Sequence, residues 1–156
     1  MTSKEIFNRK YTFFNADGLR NDKKALEYDK IFEKDTIVFC MDTRLTNKKQ
    51  LILNELAKKH DKLIYAQQNQ QSNMIAGSLI SLPQQYFWEK PEVVYDNYDR
   101  YTLIAFKDDK AWKRLLGAIY MRPALMKSGL EAISKQFCEI ELAIEQLLSK
   151  KGWSIE

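Results

Sequence analysis

The chain has 156 residues, 45% hydrophobic and 29% charged, with a formal charge of +4 and a pI near 8.9. That balance suits one globular domain with a proper core, and no apolar run approaches the ~18 residues of a membrane span. Mild basicity permits nucleic acid without demanding it, because the lysines are scattered in pairs (Lys23–Lys24, Lys48–Lys49, Lys58–Lys59, Lys150–Lys151), as on solvated helix faces.

The opening "MTSKEIFNRK" is too polar for a signal peptide. Cys40 and Cys138 lie far apart, each inside an apolar segment. They are expected as buried free thiols rather than as a disulfide or zinc pair. An intracellular protein in a reducing compartment follows, cytoplasmic or nuclear, with no membrane partner.

The first element is a strand over 11–16, rich in Tyr, Thr and Phe, in the stretch "YTFFNADGLRND". "NDKKALEYDKIFEK" predicts a helix capped by Asn21 or Asp22, with Leu26 and Phe32 among its buried positions. The apolar run 36–42, in "TIVFCMDTRL", is short enough for a fully buried strand. "TNKKQLILNELAKKH" is a second helix, capped by Thr46, with Leu53, Leu56 and Ala57 inward.

Further strands are predicted at 62–66, 75–82, 92–95, 100–107 and 113–120, with the polar run "AQQNQQSN" as a connection. The last element, "SGLEAISKQFCEIELAIEQLLSKKG", places Leu130, Ile133, Phe137, Ile140, Ile144 and Leu147 three and four apart, the stripe of a helix on a sheet. Ser128 with Glu131 reads as its capping box, and Lys150, Lys151 and Gly152 as its stop. The class is α/β: a sheet of about five to seven strands, flanking helices and a long C-terminal helix, in a single domain.

The two opening strands each stop on a polar side chain, Asn15 and Asp42. "FFNADGLRN", a helix, and then "DTIVFCMDTRL" resemble the start of the exonuclease–endonuclease–phosphatase family, most closely its LINE-type retrotransposon endonucleases. "NMIAGSLISL" is similar to that family's Gly-containing strand, "YDRYTLIAF" to its Gly-Arg-Tyr strand, and "LLGAIYMRPA" to the strand ending in Tyr-x-Pro-Asn. The resemblance runs in order from about 11 to 123.

It implies one half of a four-layer sandwich and a magnesium-dependent phosphodiesterase site. In that site Asn15 would orient the phosphate or a metal-bound water. Asp42 would be the metal carboxylate, a hard oxygen ligand of the kind Mg²⁺ takes. Tyr120 would stand beside the scissile phosphate.

The pattern also breaks. Asp42 stands where the family has Glu, drawing the carboxylate back by roughly 1 Å, which can cost on the order of 100-fold in rate. "IYMRPA" carries one extra residue between Tyr120 and Pro123, and Ala124 replaces the family's Asn. The Asp-x-Asn strand and the Ser-Asp-His segment that supplies the general base find no counterpart before "KKGWSIE". His60, the sole histidine, reads as a surface residue at a helix end.

Each singled-out residue also has a structural reading. Asn15 would brace the turn at Asp17–Gly18, Asp42 would accept backbone N–H groups of its loop, and Tyr120 would belong to the core.

The leading expectation is a truncated, catalytically impaired, endonuclease-like binding module. An uncovered apolar sheet face, with Trp88, Trp112 and Trp153 as anchors, would meet a protein partner, a second copy or nucleic acid. No cofactor is the leading expectation and Mg²⁺ the alternative. The other readings are an active Mg²⁺-dependent nuclease completed by another subunit, and a small inhibitor or immunity-type protein.

Overall fold

The computed structural model of the protein describes residues 10–16, 19, 25–45, 47–66, 77–87, 89–95, 101–119 and 127–153, with backbone alone at 25–27, 47 and 95. Among these residues the strands are β1 (Lys10–Asn15), β2 (Thr36–Met41), β3 (Lys62–Ala66), β4 (Ser78–Pro83), β5 (Glu92–Tyr95), β6 (Tyr101–Lys107) and β7 (Lys113–Ile119). The helices are α1 (Ala25–Ile31), α2 (Asn47–Lys59) and α3 (Leu130–Lys151). The predicted caps Asn21, Asp22 and Thr46, like Leu26's side chain and Trp88, lie outside the described residues.

The α/β class and the strand count hold, and the strands divide between two sheets. One is four-stranded in the order β1-β2-β4-β3, the other a three-stranded β5-β6-β7. β1 and β2 are parallel, joined through α1, whereas β4 runs antiparallel to both β2 and β3. β5, β6 and β7 form an antiparallel meander.

Period-two alternation decides which face each residue takes. On β2, Cys40 joins Leu79 of β4 under the helices, where Ile31 and Leu53 pack down. The intervening Ile37 and Phe39 turn the other way, with Ile80 and Leu82, to meet Ile104, Phe106 and Ala118 of the second sheet. On β6, Leu103 and Ala105 point outward against Ile140, Ala143 and Leu147 of α3. Helices, sheet, sheet and helix therefore stack as four layers within this one chain. Fully burying a side chain such as Leu53 or Leu79 stabilises by about 2 kcal/mol.

Three expectations change. The apolar face between the sheets is largely covered by the chain itself, because β5–β7 form a second sheet rather than extending the first. α3 presents Gln136, Ile140, Ala143 and Leu147 to the sheet, while Leu130 and Phe137 of the predicted stripe are 83% and 54% exposed. Cys138, on that same turn, is exposed, whereas Cys40 is buried, and both thiols are free.

The predicted capping box is not what starts α3. Gly129, at φ 95°, is the N-cap, with no side-chain cap bond. At the other end the stop is as read: Gly152 takes the left-handed conformation at φ 71°, and Trp153 N–H reaches back to the Leu148 carbonyl. No described helix is long and apolar enough to cross a membrane.

Candidate functional site

A strand that ends in a polar residue presents it at a fixed place, because the ladder holds everything before it. Asn15 pairs with Met41 in the β1–β2 register, so Asn15 and Asp42 leave adjacent strands at one edge of the sheet. The two loops are then tied together: Ala16 N–H donates to Met41 O (2.9 Å) and Leu19 N–H to Thr43 O (2.7 Å). Thr43 N–H donates to Gly77 O (3.3 Å), which anchors the start of β4 at the same place.

The second sheet joins at this edge. The hydroxyls of Ser78 and Thr102, both buried, lie 2.7 Å apart and bridge β4 to β6. Thr102 pairs with Ala118 and Tyr101 with Ile119, so β7 also ends here. Tyr120, the next residue, lies outside the described residues. Topology thus brings together the ends of β1, β2 and β7, where the family resemblance expects its site.

The side chains tell a different story from the backbone. Asn15 is exposed at the strand end. Asp42 is 3% exposed, and Arg44 holds its carboxylate in a bidentate grip: Nε donates to Oδ1 at 2.9 Å and Nη2 to Oδ2 at 2.7 Å. Such fork-to-carboxylate bonds are among the strong ones. Both residues adopt the left-handed backbone region, Asp42 at φ 54° and Arg44 at φ 48°. That costs on the order of 1 kcal/mol each, and such strain gathers at functional loops. Between them Thr43 is wholly buried, and its Oγ1 has no partner among the described residues.

The donor set fits Mg²⁺ poorly. A dication on Asp42 would stand roughly 5 Å from the guanidinium charge. At an effective dielectric near 20 that repulsion is on the order of 6 kcal/mol, so the ion pair would have to open first. Among the described residues no group of three or more His, Cys, Asp or Glu side chains is placed to hold a metal.

His60 is at the other edge of the sheet, at the end of α2, exposed and stacked on Phe32 with ring centroids 5.1 Å apart. The surface reading of His60 holds. Its neighbour Lys62 is one of two groups that no motif or spacing singles out. Lys62 is 2% exposed and donates to Ile31 O at 2.8 Å, where Ser81 Oγ also donates (2.8 Å). Together they cap the last carbonyl of α1, that of Ile31. Burial pushes the Lys62 ammonium down from 10.5 to about 8, against the opposing pull of Glu33 and Asp35.

The other is Asp108, at the β6–β7 turn. It accepts the N–H groups of Lys110 and Trp112 (2.9 Å each) and Arg114 Nε (3.0 Å). Burial alone would raise its carboxyl, but the Trp112, Arg114 and Lys110 hydrogen bonds outweigh that and hold it below the usual carboxylate range. Both groups are structural: one caps a helix, the other a hairpin.

Comparison with known proteins now bears on this edge. No family model matches the sequence, and no curated protein matches it. Among solved structures, a selenomethionine crystal structure of TDP2 from Caenorhabditis elegans superposes with a TM-score of 0.56 at 15% identity, over 96% of this chain and 46% of that one. A second crystal structure of TDP2 from C. elegans gives 0.54 at 14%, over 95% and 48%. This chain therefore spans about half the length of these neighbours. The likeness shows the fold alone, one similar to that of TDP2. The expectation of an endonuclease-like fold is met at the level of the fold.

Proposed function

We propose that this chain is an endonuclease-like module that acts by binding, its inherited metal position closed by an internal ion pair. The observation that supports this most is the Arg44–Asp42 pair, which occupies both oxygens of the carboxylate a phosphodiesterase would offer to Mg²⁺. The shorter Asp in place of Glu works in the same direction, since it keeps the carboxylate within reach of Arg44 two residues on. Within the endonuclease-like fold, the order of the quoted strand motifs supports a reading nearest the LINE-type endonucleases. Its partner is a protein, with nucleic acid the second class that the basic surface permits.

A second reading draws on a specific observation as well. Asn15 and Asp42 leave neighbouring strands at one edge, the alignment an active Mg²⁺-dependent nuclease needs. In that reading another subunit draws Arg44 away and supplies the general base that phosphodiester hydrolysis requires. Incubating purified protein with supercoiled plasmid DNA, and separately with RNA, in millimolar Mg²⁺ separates the two. No cleavage above a buffer control is expected. Metal-dependent nicking that Asp42→Ala abolishes overturns the binding-module reading.

A further inference from the structure

The four-stranded sheet is wider than the sheet that covers it. β7 packs over β2 and β4, which leaves β1, the outermost strand, with no strand above it among the described residues. The inward face of β1 is aromatic. Phe13 stacks flat on Phe39 (4.6 Å, 5°) and Tyr11 lies beside it (6.5 Å, 20°), yet they are 64% and 38% exposed. Residues that point toward the inter-sheet core are thus open to solvent.

Directly above this shelf runs the outer side of β7, the side away from β6. Its one ladder is to β6, so among the described residues no strand takes up its outer row of N–H and C=O groups. Tyr11 and Ile37 below, with Arg114 and Leu116 of β7 above, line one indentation where the two sheets part. Neighbouring strands sit about 4.8 Å apart, so a strand added to β7 would lie over β1 and close the step.

The step is one strand wide, and that decides the occupant. A second copy paired through its own β7 would bring its own protruding β1 into the space beneath, where the first copy's sheet already lies. A single extended segment meets no such obstacle. β1 and β7 run the same way, since Asn15 and Ile119 share the edge of the candidate site. Lys10 and Lys113 therefore lie together at the opposite end, and Lys113 Nζ lies over the Trp153 ring (5.8 Å to its centroid). Asp108 is taken up by Arg114, and Lys110 adds an exposed ammonium beside the exposed Asp109.

We propose that the groove between β1 and β7 is a strand-addition site for a partner protein's extended segment, apolar at alternate positions and acidic at the end beside Lys10 and Lys110. Backbone pairing with β7 supplies affinity, and side chains set against Tyr11 and Phe13 supply selectivity. This deepens the binding-module reading and rests on it. The two fail separately, because plasmid cleavage reports only on Asp42.

The test selects displayed random peptides of about eight residues, a strand's usual length, on the full chain. A selected peptide is then followed by amide hydrogen exchange. The expected result is enrichment of alternating apolar residues with Asp or Glu at one end. Bound peptide slows exchange within 113–119 about tenfold. Phe13→Asp, used once its unfolding transition shows a folded protein, and exchange of the acidic end for Lys each weaken binding about tenfold. Three results overturn the proposal. One is peptides that bind Phe13→Asp equally well. Another is a concentration-dependent dimer, seen by sedimentation, that Phe13→Asp dissolves. The third is β7 amides already protected in the free protein and released by deleting residues 1–9.

Discussion

Replacing Lys62 by Met removes an ammonium that the fold holds at 2% exposure. The unfolded chain keeps that proton up to about 10.5, whereas the folded protein releases it at about 8. At 1.36 kcal/mol per pKa unit, the gap amounts to about 3 kcal/mol against folding at neutral pH. Met fills a similar volume without charge, and the Ile31 carbonyl keeps its bond from Ser81. The loss of the Lys62 hydrogen bond itself costs about 1 kcal/mol. Lys62→Met should therefore gain about 2 kcal/mol at pH 7, or about 6 °C in Tm for a domain of this size.

The sign with pH follows from proton counts. Between about 8 and 10.5 the unfolded chain binds the extra proton, so the native protein gains stability as pH rises while the Met variant lacks that gain. Above pH 10, Tyr65, whose hydroxyl burial pushes up, ionises more readily unfolded and lowers the stability of both proteins. Urea unfolding of the two proteins at several pH values from 7 to 10 isolates Lys62 as the difference, which should shrink to about zero by pH 10. A Met variant less stable at pH 7, or a difference that does not change with pH, would refute the assignment.

Arg44→Leu should cost about 3 kcal/mol by leaving the Asp42 carboxylate buried without its cation, and adding Asp42→Ala should recover part of it. A double-mutant cycle by urea unfolding checks the coupling, and additive losses would contradict the ion pair. Asp108→Ala should cost on the order of 3 kcal/mol, since two backbone N–H groups and Arg114 lose their acceptor together. Because the folded carboxyl sits below its unfolded value, that contribution is present above the ordinary carboxylate range and fades as pH falls through the folded pKa. Native and Ala proteins should thus converge in acid, as thermal unfolding at decreasing pH would show.

The features legible in the sequence were those decided locally. "TIVFCM" and "KYTFFN" are strands because β-branched and aromatic side chains suit a pleated surface, and their polar ends mark where the ladder stops. Gly152 stops α3 because left-handed backbone there favours Gly. Division into two sheets was not legible, since it depends on which way β5–β7 fold back, a long-range matter that period two leaves open.

The face that α3 buries is rotated by roughly a sixth of a turn from the apolar stripe, the two sharing Ile140 and Leu147. Gln136 is polar yet buried, with an Nε2 that has no partner among the described residues, while the larger Phe137 beside it is exposed. Lys62 was invisible because a lysine at a strand start reads as surface, and only the convergence of α1 and β4 buries it. At the candidate site the positions of Asn15 and Asp42 were legible. The grip of Arg44 was not, because it requires two departures into left-handed backbone, at Asp42 and Arg44 on either side of Thr43, that the letters "MDTRL" do not announce.

Calorimetric titration of the native protein with Mg²⁺ at near-neutral pH tests the central claim most directly. With Asp42 held by Arg44, heats indistinguishable from dilution are predicted up to millimolar metal, alike for the native protein and Asp42→Asn. Saturable Mg²⁺ binding by the native protein that Asp42→Asn abolishes would contradict it.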